Sequence, residues 1–369
     1  LHQNPKKALV IGLGSGITVG SVLTHPVDAV DVVEISPEVV EASRFFAHVS
    51  GSPLDDRRVK LSGSDAKDFL HLQPDAKYDA IVSEPSNPWI AGIGNLFTVE
   101  FFAEAKQHLG EGGIMIQWIH AYEMNDETLE IIFNSFSHVF DHVTVWHPRN
   151  ADIILAGSAT PLAVSFPELE RRIATPTVHA DLNRPGGTAA IRNAVDFLSV
   201  QILSSAAFKT AYAGKENLNS DLFPTLEYEA PKTFYLGEKA VDFYRRDERL
   251  RPRRYTGLLL HDYLGESEPA DSELEGFIRF FSEGKSRTDD LHMKRLLYLL
   301  IVRSMQAGSP ASAHIDEYLA RGNHALYGQL ALWRTKIAAG EMTPAAWAAY
   351  RRFEAESLRS TVSVFASPD

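Results

Sequence analysis

Residues Ala8–Gly16 read ALVIGLGSG, and the fold turns on them. An apolar run of strand length ends in glycines at 12, 14 and 16. Glycines at a buried strand's end permit a tight turn and let a ligand lie against bare backbone. The dinucleotide fingerprint asks for G-x-G-x-x-G. Here the sixth position is Ile17, so NAD fits poorly and a nucleoside without that phosphate requirement fits better.

Moving outward, a segment of helical length (Ser15–Thr24) follows, then a second apolar run, AVDVVEI (Ala29–Ile35), ending in an acid. RVKLSGSD (Arg58–Asp65), YDAIVSE (Tyr78–Glu84) and GGIMIQWI (Gly112–Ile119) continue the series, then HVTVWH (His142–His147) and ADIILAGS (Ala151–Ser158). Pro37–Ser50, Asp65–Leu72, Thr98–Leu109 and Asp126–Val139 have helical length and lie between them. Buried runs alternating with helices predict an α/β fold, a mostly parallel open sheet covered on both faces. Only a few residues around Pro148-Arg149-Asn150 separate the last two runs, so the last strand is expected to be antiparallel, in a hairpin.

The bulk composition narrows the function. At 369 residues the chain is long enough for two compact units. Hydrophobic content of 44% with 23% charged residues is that of a soluble protein. Its longest apolar run, LLYLLIV from Leu296, falls far short of the roughly 20 residues of a membrane helix. A net charge of −12 argues against nucleic acid as a partner and suits a cationic substrate. With no cysteine, disulfides, thiolate nucleophiles and Cys-based metal sites are excluded, and the compartment stays open. His138 and His142 straddle a predicted helix end, so no metal site is expected. The chain begins with Leu1 rather than Met, which leaves room for a missing upstream segment.

Residues 1–160 form the first predicted domain and 161–235 a mixed extension, with loops at Pro185-Gly186-Gly187 and from Ala213. A helical domain is predicted over 236–369: Asp289–Ala307, helices stopping at Gly322 and Gly340, and a last one over Thr343–Arg359. The arginine-rich run from Tyr244, interrupted by Asp247 and Glu248, reads as a solvated face, with an acidic lipid surface as the other reading.

Polar groups cluster at the strands' carboxyl ends, where open α/β sheets bind ligands. Glu34 ends the second run, 22 residues past Gly12, where an acid can accept from both hydroxyls of a ribose. Asp65 ends the third; it can accept from an adenine amino group, cap the next helix, or do both. The fourth run leads into Ile81–Trp89, IVSEPSNPW. Glu84 can act there as a carboxylate stabilising a sulfonium or ammonium, or as a base taking an amine's proton. Pro85 and Pro88 fix the loop and hold Asn87 in place. Trp89 can cover the pocket, offer a cation–π face, or belong to the core. Gly92 and Gly94 in AGIGNLF suit a gate over the site.

These residues together resemble the spermidine synthase family of aminopropyltransferases, over about residues 5–160. SEPSNPW followed by Leu96-Phe97-Thr98 is most similar to the soluble module of membrane-fused, spermidine-synthase-like bacterial proteins. The resemblance implies a Rossmann-like, class I S-adenosylmethionine-dependent transferase sheet. It implies S-adenosylmethionine or its decarboxylated form as cofactor. Gly12, Gly14 and Gly16, with Ser15, would face it; Glu34 with Ile35 would hold the ribose, and Asp65 with Ala66 the adenine. The family's catalytic aspartate falls on Glu84 and its second loop aspartate on Asn87. NSDLFPTLEY (Asn219–Tyr228) looks like the family's N-T-D-D-x-P segment, with Leu222 in place of the second acid and Asp221, Glu227 and Tyr228 as substrate or gate residues.

The expected reaction is alkyl, specifically aminopropyl, transfer to a small cationic amine. Methyl transfer and a non-catalytic nucleoside- or polyamine-binding sensor are the alternatives. The resemblance further implies a cytoplasmic protein, with tethering to the cytoplasmic membrane face through an upstream segment, and a homodimer, as arrangements it admits.

Overall fold

The structure, a computed structural model, describes residues 1–149, 152–162, 164–184, 191, 194–198, 200–237, 240, 259 and 343–345. The chain divides into two compact units, Leu1–Leu260 and His261–Asp369. Almost all described residues belong to the first. The loop at Pro185, the arginine-rich run from Tyr244 and nearly all of the predicted helical domain lie outside the described residues. Among the described residues no helix is long and apolar enough to cross a membrane.

In chain order the first unit holds β1 (Lys7–Ile11), α1 (Ile17–Leu23), β2 (Ala29–Val33), α2 (Pro37–Ser43), α3 (Ala47–Ser50), β3 (Val59–Ser62), α4 (Ala66–His71), β4 (Tyr78–Ser83), α5 (Val99–Gln107), β5 (Leu109–His120) and α6 (Asp126–Val139). After these come β6 (His142–Arg149), β7 (Asp152–Ser158), α7 (Phe166–Ile173), α8 (Pro176–Leu182), α9 (Ala194–Leu198), β8 (Gln201–Leu203), α10 (Ser205–Tyr212) and α11 (Thr225–Leu236). They build one sheet in the order β3-β2-β1-β4-β5-β7-β6-β8. The first five strands pair in parallel, and β7, β6 and β8 extend the sheet through antiparallel pairs.

Strand order reverses between β1 and β4, the place where such a sheet opens a crevice for a ligand. Alternation along the strands sends Leu9, Ile11, Ile81, Met115 and Ile119 to one face, against phenylalanines of α4, α5 and α6. Val10, Val30 and Val32 face the other way, onto Leu13, Val19 and the valines of α2. Both faces are covered, as continuous apolar strands demand.

Two details differ from the sequence reading. The helix expected over Pro37–Ser50 is broken: α2 gives way to a 3-10 turn over Arg44–Phe46 before α3. The Ser43 hydroxyl donates to the Val40 carbonyl (2.8 Å) at that break, a back-bond that competes with helix continuation. The hairpin β6–β7 is present as expected, but β8 adds a further antiparallel edge.

Candidate active site

Above the reversal of strand order lies a cavity of about 790 Å³, inside the usual range for small-molecule sites. Gly12, Gly14, Ser15, Glu34, Ile35, Asp65, Ala66, Glu84 and Asn87, all singled out from the sequence, line it. So do Thr18, Ser64 and Trp118, which were not singled out.

The floor is set by Gly12. Its φ is +88°, its N–H donates to the Val33 carbonyl (2.9 Å), and a Cβ there would sit 2.4 Å from the Glu84 carbonyl oxygen. No side chain fits between β1 and β4 at this level. A Cβ on Gly14, by contrast, would meet nothing within 4 Å, so the turn leaves open space against bare backbone.

Glu34 is held from two sides. The Leu13 N–H donates to its Oε2 (3.0 Å) and the Ser36 N–H to its Oε1 (2.9 Å). A carboxylate has about four lone-pair positions, so each oxygen keeps room to accept a ligand hydroxyl. Asp65 caps α4, its Oδ1 accepting from the N–H groups of Lys67 (2.8 Å) and Asp68 (3.3 Å). Its cap is made by one oxygen; the other has no partner among the described residues. The buried Ser64 hydroxyl beside it is also without a partner there. Open backbone at Gly14, spare acceptor positions on Glu34 and a free oxygen on Asp65 fit an adenosine moiety.

Glu84 stands at the cavity's middle. Its backbone N–H donates to the Ile11 carbonyl (2.9 Å), fixing the end of β4 on β1, and its Oε2 accepts a short hydrogen bond from the Thr18 hydroxyl. Burial pushes the Glu84 carboxyl above its ordinary value; the Thr18 hydroxyl opposes this and the nearby Asp152 carboxylate adds to it. A carboxyl lifted in this way is a stronger base than one in water.

Beyond Glu84 the walls turn aromatic. The Tyr122 hydroxyl donates to Asn87 Oδ1 (3.4 Å), and the Trp118 indole N–H to Asp152 Oδ1 (3.2 Å). Trp89 packs behind this wall rather than lining the cavity, its ring centroid 4.5 Å from His120, 5.9 Å from Tyr122 and 5.0 Å from Phe234. His120 is fully buried; its Nδ1 lies 2.9 Å from the Tyr122 carbonyl oxygen, and its Nε2 has no partner among the described residues.

Of the segment read as a gate, Ala91, Gly92, Ile93, Asn95 and Leu96 line the cavity, with Ile90 just before them. The segment from Asn219 bonds to this loop. The Gly92 N–H donates to Glu227 Oε1 (2.8 Å), and the buried Asn219 amide donates to the Gly94 carbonyl (2.8 Å). Asp221 pairs instead with Lys67 (2.6 Å), away from the cavity lining, and Tyr228 is 66% exposed, also outside it.

A family model described as the spermine/spermidine synthase domain matches residues 1–147. Over 191 residues the chain is 30% identical to a polyamine aminopropyltransferase of Bacillus mycoides (strain KBAB4), covering 48% of this chain and 68% of that protein. Over 139 residues it is 30% identical to a polyamine aminopropyltransferase of Korarchaeum cryptofilum (strain OPF8), covering 37% of this chain and 43% of that protein. The chain thus spans under half the length of that second relative. A crystal structure of spermidine synthase in complex with the transition-state analogue AdoDATO is similar at 23% identity and a TM-score of 0.42, over 50% of this chain and 68% of that one.

Proposed function

The chain belongs to the spermine/spermidine synthase family, and from that premise we propose that its cavity transfers an aminopropyl group from decarboxylated S-adenosylmethionine to a small cationic amine. Glu34 and Asp65 take the ribose and adenine of the donor, and Gly14 leaves room for its chain. The observation that carries the reading is the position of Glu84: a carboxyl held by the Thr18 hydroxyl in the same cavity as Glu34 and Asp65.

Such a donor supplies displacement at the carbon beside its sulfonium sulfur: the amine nitrogen bonds to that carbon, the carbon–sulfur bond breaks, and its electron pair returns to sulfur as a neutral thioether. Glu84, held by Thr18, takes the proton the amine nitrogen must lose. The gate braced by Glu227 and Asn219 keeps water out and fixes the reactants in line, which supplies most of the rate. The proposal carries with it a cytoplasmic site of action and leaves room for assembly as a homodimer.

Incubation with S-adenosylmethionine or its decarboxylated form, plus a panel of mono-, di- and polyamines, tests the reading. Release of methylthioadenosine with the decarboxylated donor is the expected result. Release of S-adenosylhomocysteine would reassign the site to methyl transfer, and tight nucleoside binding with no product would reassign it to sensing.

A further inference from the structure

Hydroxyls in helices commonly bond back to their own backbone, and this chain shows the habit repeatedly. The Thr24 hydroxyl donates to the Ser21 carbonyl (2.7 Å), Ser43 to Val40 (2.8 Å), Ser135 to Ile131 (2.8 Å) and Thr210 to Ala206 (2.8 Å). Thr18, the second residue of α1, does otherwise. Its hydroxyl leaves the helix and donates to Glu84 Oε2, 66 residues further on, just past the end of β4. Nor does it cap α1, which starts from Gly16 with no side-chain cap. The helix itself therefore draws no hydrogen bond from this hydroxyl.

Both partners line the cavity. A glutamate has one more torsion to fix than an aspartate, and an unanchored carboxylate spreads over several rotamers. The Glu84 side chain is open to the cavity, and Thr18 is the hydrogen-bond partner its carboxylate has among the described residues. Tying Oε2 leaves Oε1 to accept from a ligand. The rest of the surroundings supply no anchor. Ile11 and Gly12 of β1, Asn87 of the following loop and Trp118 of β5 carry no charge, and the lining's other ionisable groups, Glu34 and Asp65, are acids. Burial raises the Glu84 carboxyl, the Thr18 hydroxyl pulls it down, and Asp152 on β7 raises it again. The hydroxyl is thus the neighbour that favours the ionised, proton-accepting form.

Resting on the aminopropyl-transfer reading, we propose that Thr18 is a positioning residue of the reaction: it occupies Glu84 Oε2 and so presents Oε1 as the oxygen that takes the acceptor amine's proton. Threonine and glutamate then work as one unit, the hydroxyl matched to the length of this acid. An aspartate at 84, one methylene shorter, falls out of the hydroxyl's reach and makes Thr18 dispensable.

A double-mutant cycle with two readouts tests this. Wild type, Thr18→Val, Thr18→Ser, Glu84→Asp and Thr18→Val/Glu84→Asp are assayed across pH with decarboxylated S-adenosylmethionine and butane-1,4-diamine. The Glu84 carboxyl is titrated separately by NMR in protein labelled at glutamate carboxyls, its signal assigned by its loss in Glu84→Gln. Thr18→Val is expected to lower kcat about 10- to 100-fold, the cost of a misplaced reacting group, with the amine KM held within about threefold. The acid limb of the rate and the NMR titration should both move up by about one pH unit, the scale of one hydrogen bond to a charged group. Thr18→Ser restores all of these. On the Glu84→Asp background, adding Thr18→Val should change kcat less than about twofold.

An unmoved acid limb and carboxyl titration in Thr18→Val overturn the proposal. So does a loss confined to KM, a failure of serine to restore, or an equal loss on the Glu84→Asp background. A cooperative melt certifies each variant's fold, and where Thr18→Val lacks one, Thr18→Ala takes its place in the cycle. A wild type that releases no methylthioadenosine removes the transfer reading instead, while the carboxyl titration, which needs no turnover, still shows whether Thr18 holds Glu84.

Discussion

His120 offers a quantitative check on the aromatic packing behind Trp118. Burial pulls its imidazole pKa down from 6.5 to about 4, against the raising effect of the Tyr122 carbonyl that accepts from Nδ1. In the unfolded chain the ring titrates near its ordinary value, so between these values the unfolded state binds a proton that the native state refuses. Stability is therefore full above pH 6.5 and is lost as pH falls towards 4. Integrating the two titrations gives a loss of about 2 kcal/mol between pH 7 and 4.5, out of about 3 kcal/mol in all. His120→Phe removes the titration and keeps the ring contacts, but leaves the Tyr122 carbonyl unpaired, a pH-independent cost of about 1–2 kcal/mol. Urea unfolding of both proteins at pH 7 and 4.5 isolates the term, because every other titrating group cancels in the difference. Wild type should be the more stable at pH 7 and lose that lead at pH 4.5. A wild-type-minus-variant difference that stays flat across this range would refute a buried, neutral His120 with a free Nε2.

Other perturbations test the donor side and the gate. The raised Glu84 carboxyl holds its proton at higher pH in the native than in the unfolded state, so its contribution to stability falls as pH rises through that window. Glu84→Gln should melt higher than wild type at neutral pH yet lose transfer, with nucleoside affinity kept within about tenfold, and the acid limb of the wild-type rate should lie above 4.5, the carboxyl's ordinary value. Gly12→Ala puts a Cβ 2.4 Å from the Glu84 carbonyl oxygen at a φ of +88°; a loss of about 1–3 kcal/mol of stability and more than tenfold in nucleoside affinity is expected from melting and calorimetry. Glu227→Ala frees the Gly92 N–H and should speed nucleoside release about tenfold in stopped flow, the size of one charge-assisted hydrogen bond.

What the sequence disclosed follows the range of the interactions involved. That the glycine loop, Glu34 and Asp65 share one cavity was legible because that end of it is built from strand ends and the few residues after them. Gly12, Leu13 and Ser36 all lie next to the motif they complete, and Asp65 shows its dual fitness as cap and acceptor within its own helix turn. The break after Ser43 was illegible, because it falls inside an otherwise helical run and is marked only by a hydroxyl back-bond. β8 is three residues long and pairs with β6, far back in the chain, so no local period announces it. The segment from Asn219 was assigned to substrate or gate by resemblance; its acids bond Lys67 and the Gly92 N–H, and only the second of these touches the gate.

The contact between Trp118 and Asp152 was the least legible part. Asp152 is separated from Trp118 by 34 residues and meets it only because β7 runs antiparallel to β5. Its neighbours Asn87 and Tyr122 come from a loop and from the end of another strand. The glycine turn and Glu34 depend on positive φ and on backbone N–H groups pinning the carboxylate, so substitutions there disturb backbone as well as side chain. The far wall depends on side chains projected from separate strands, and a charge there can move from one backbone to another without disturbing the donor.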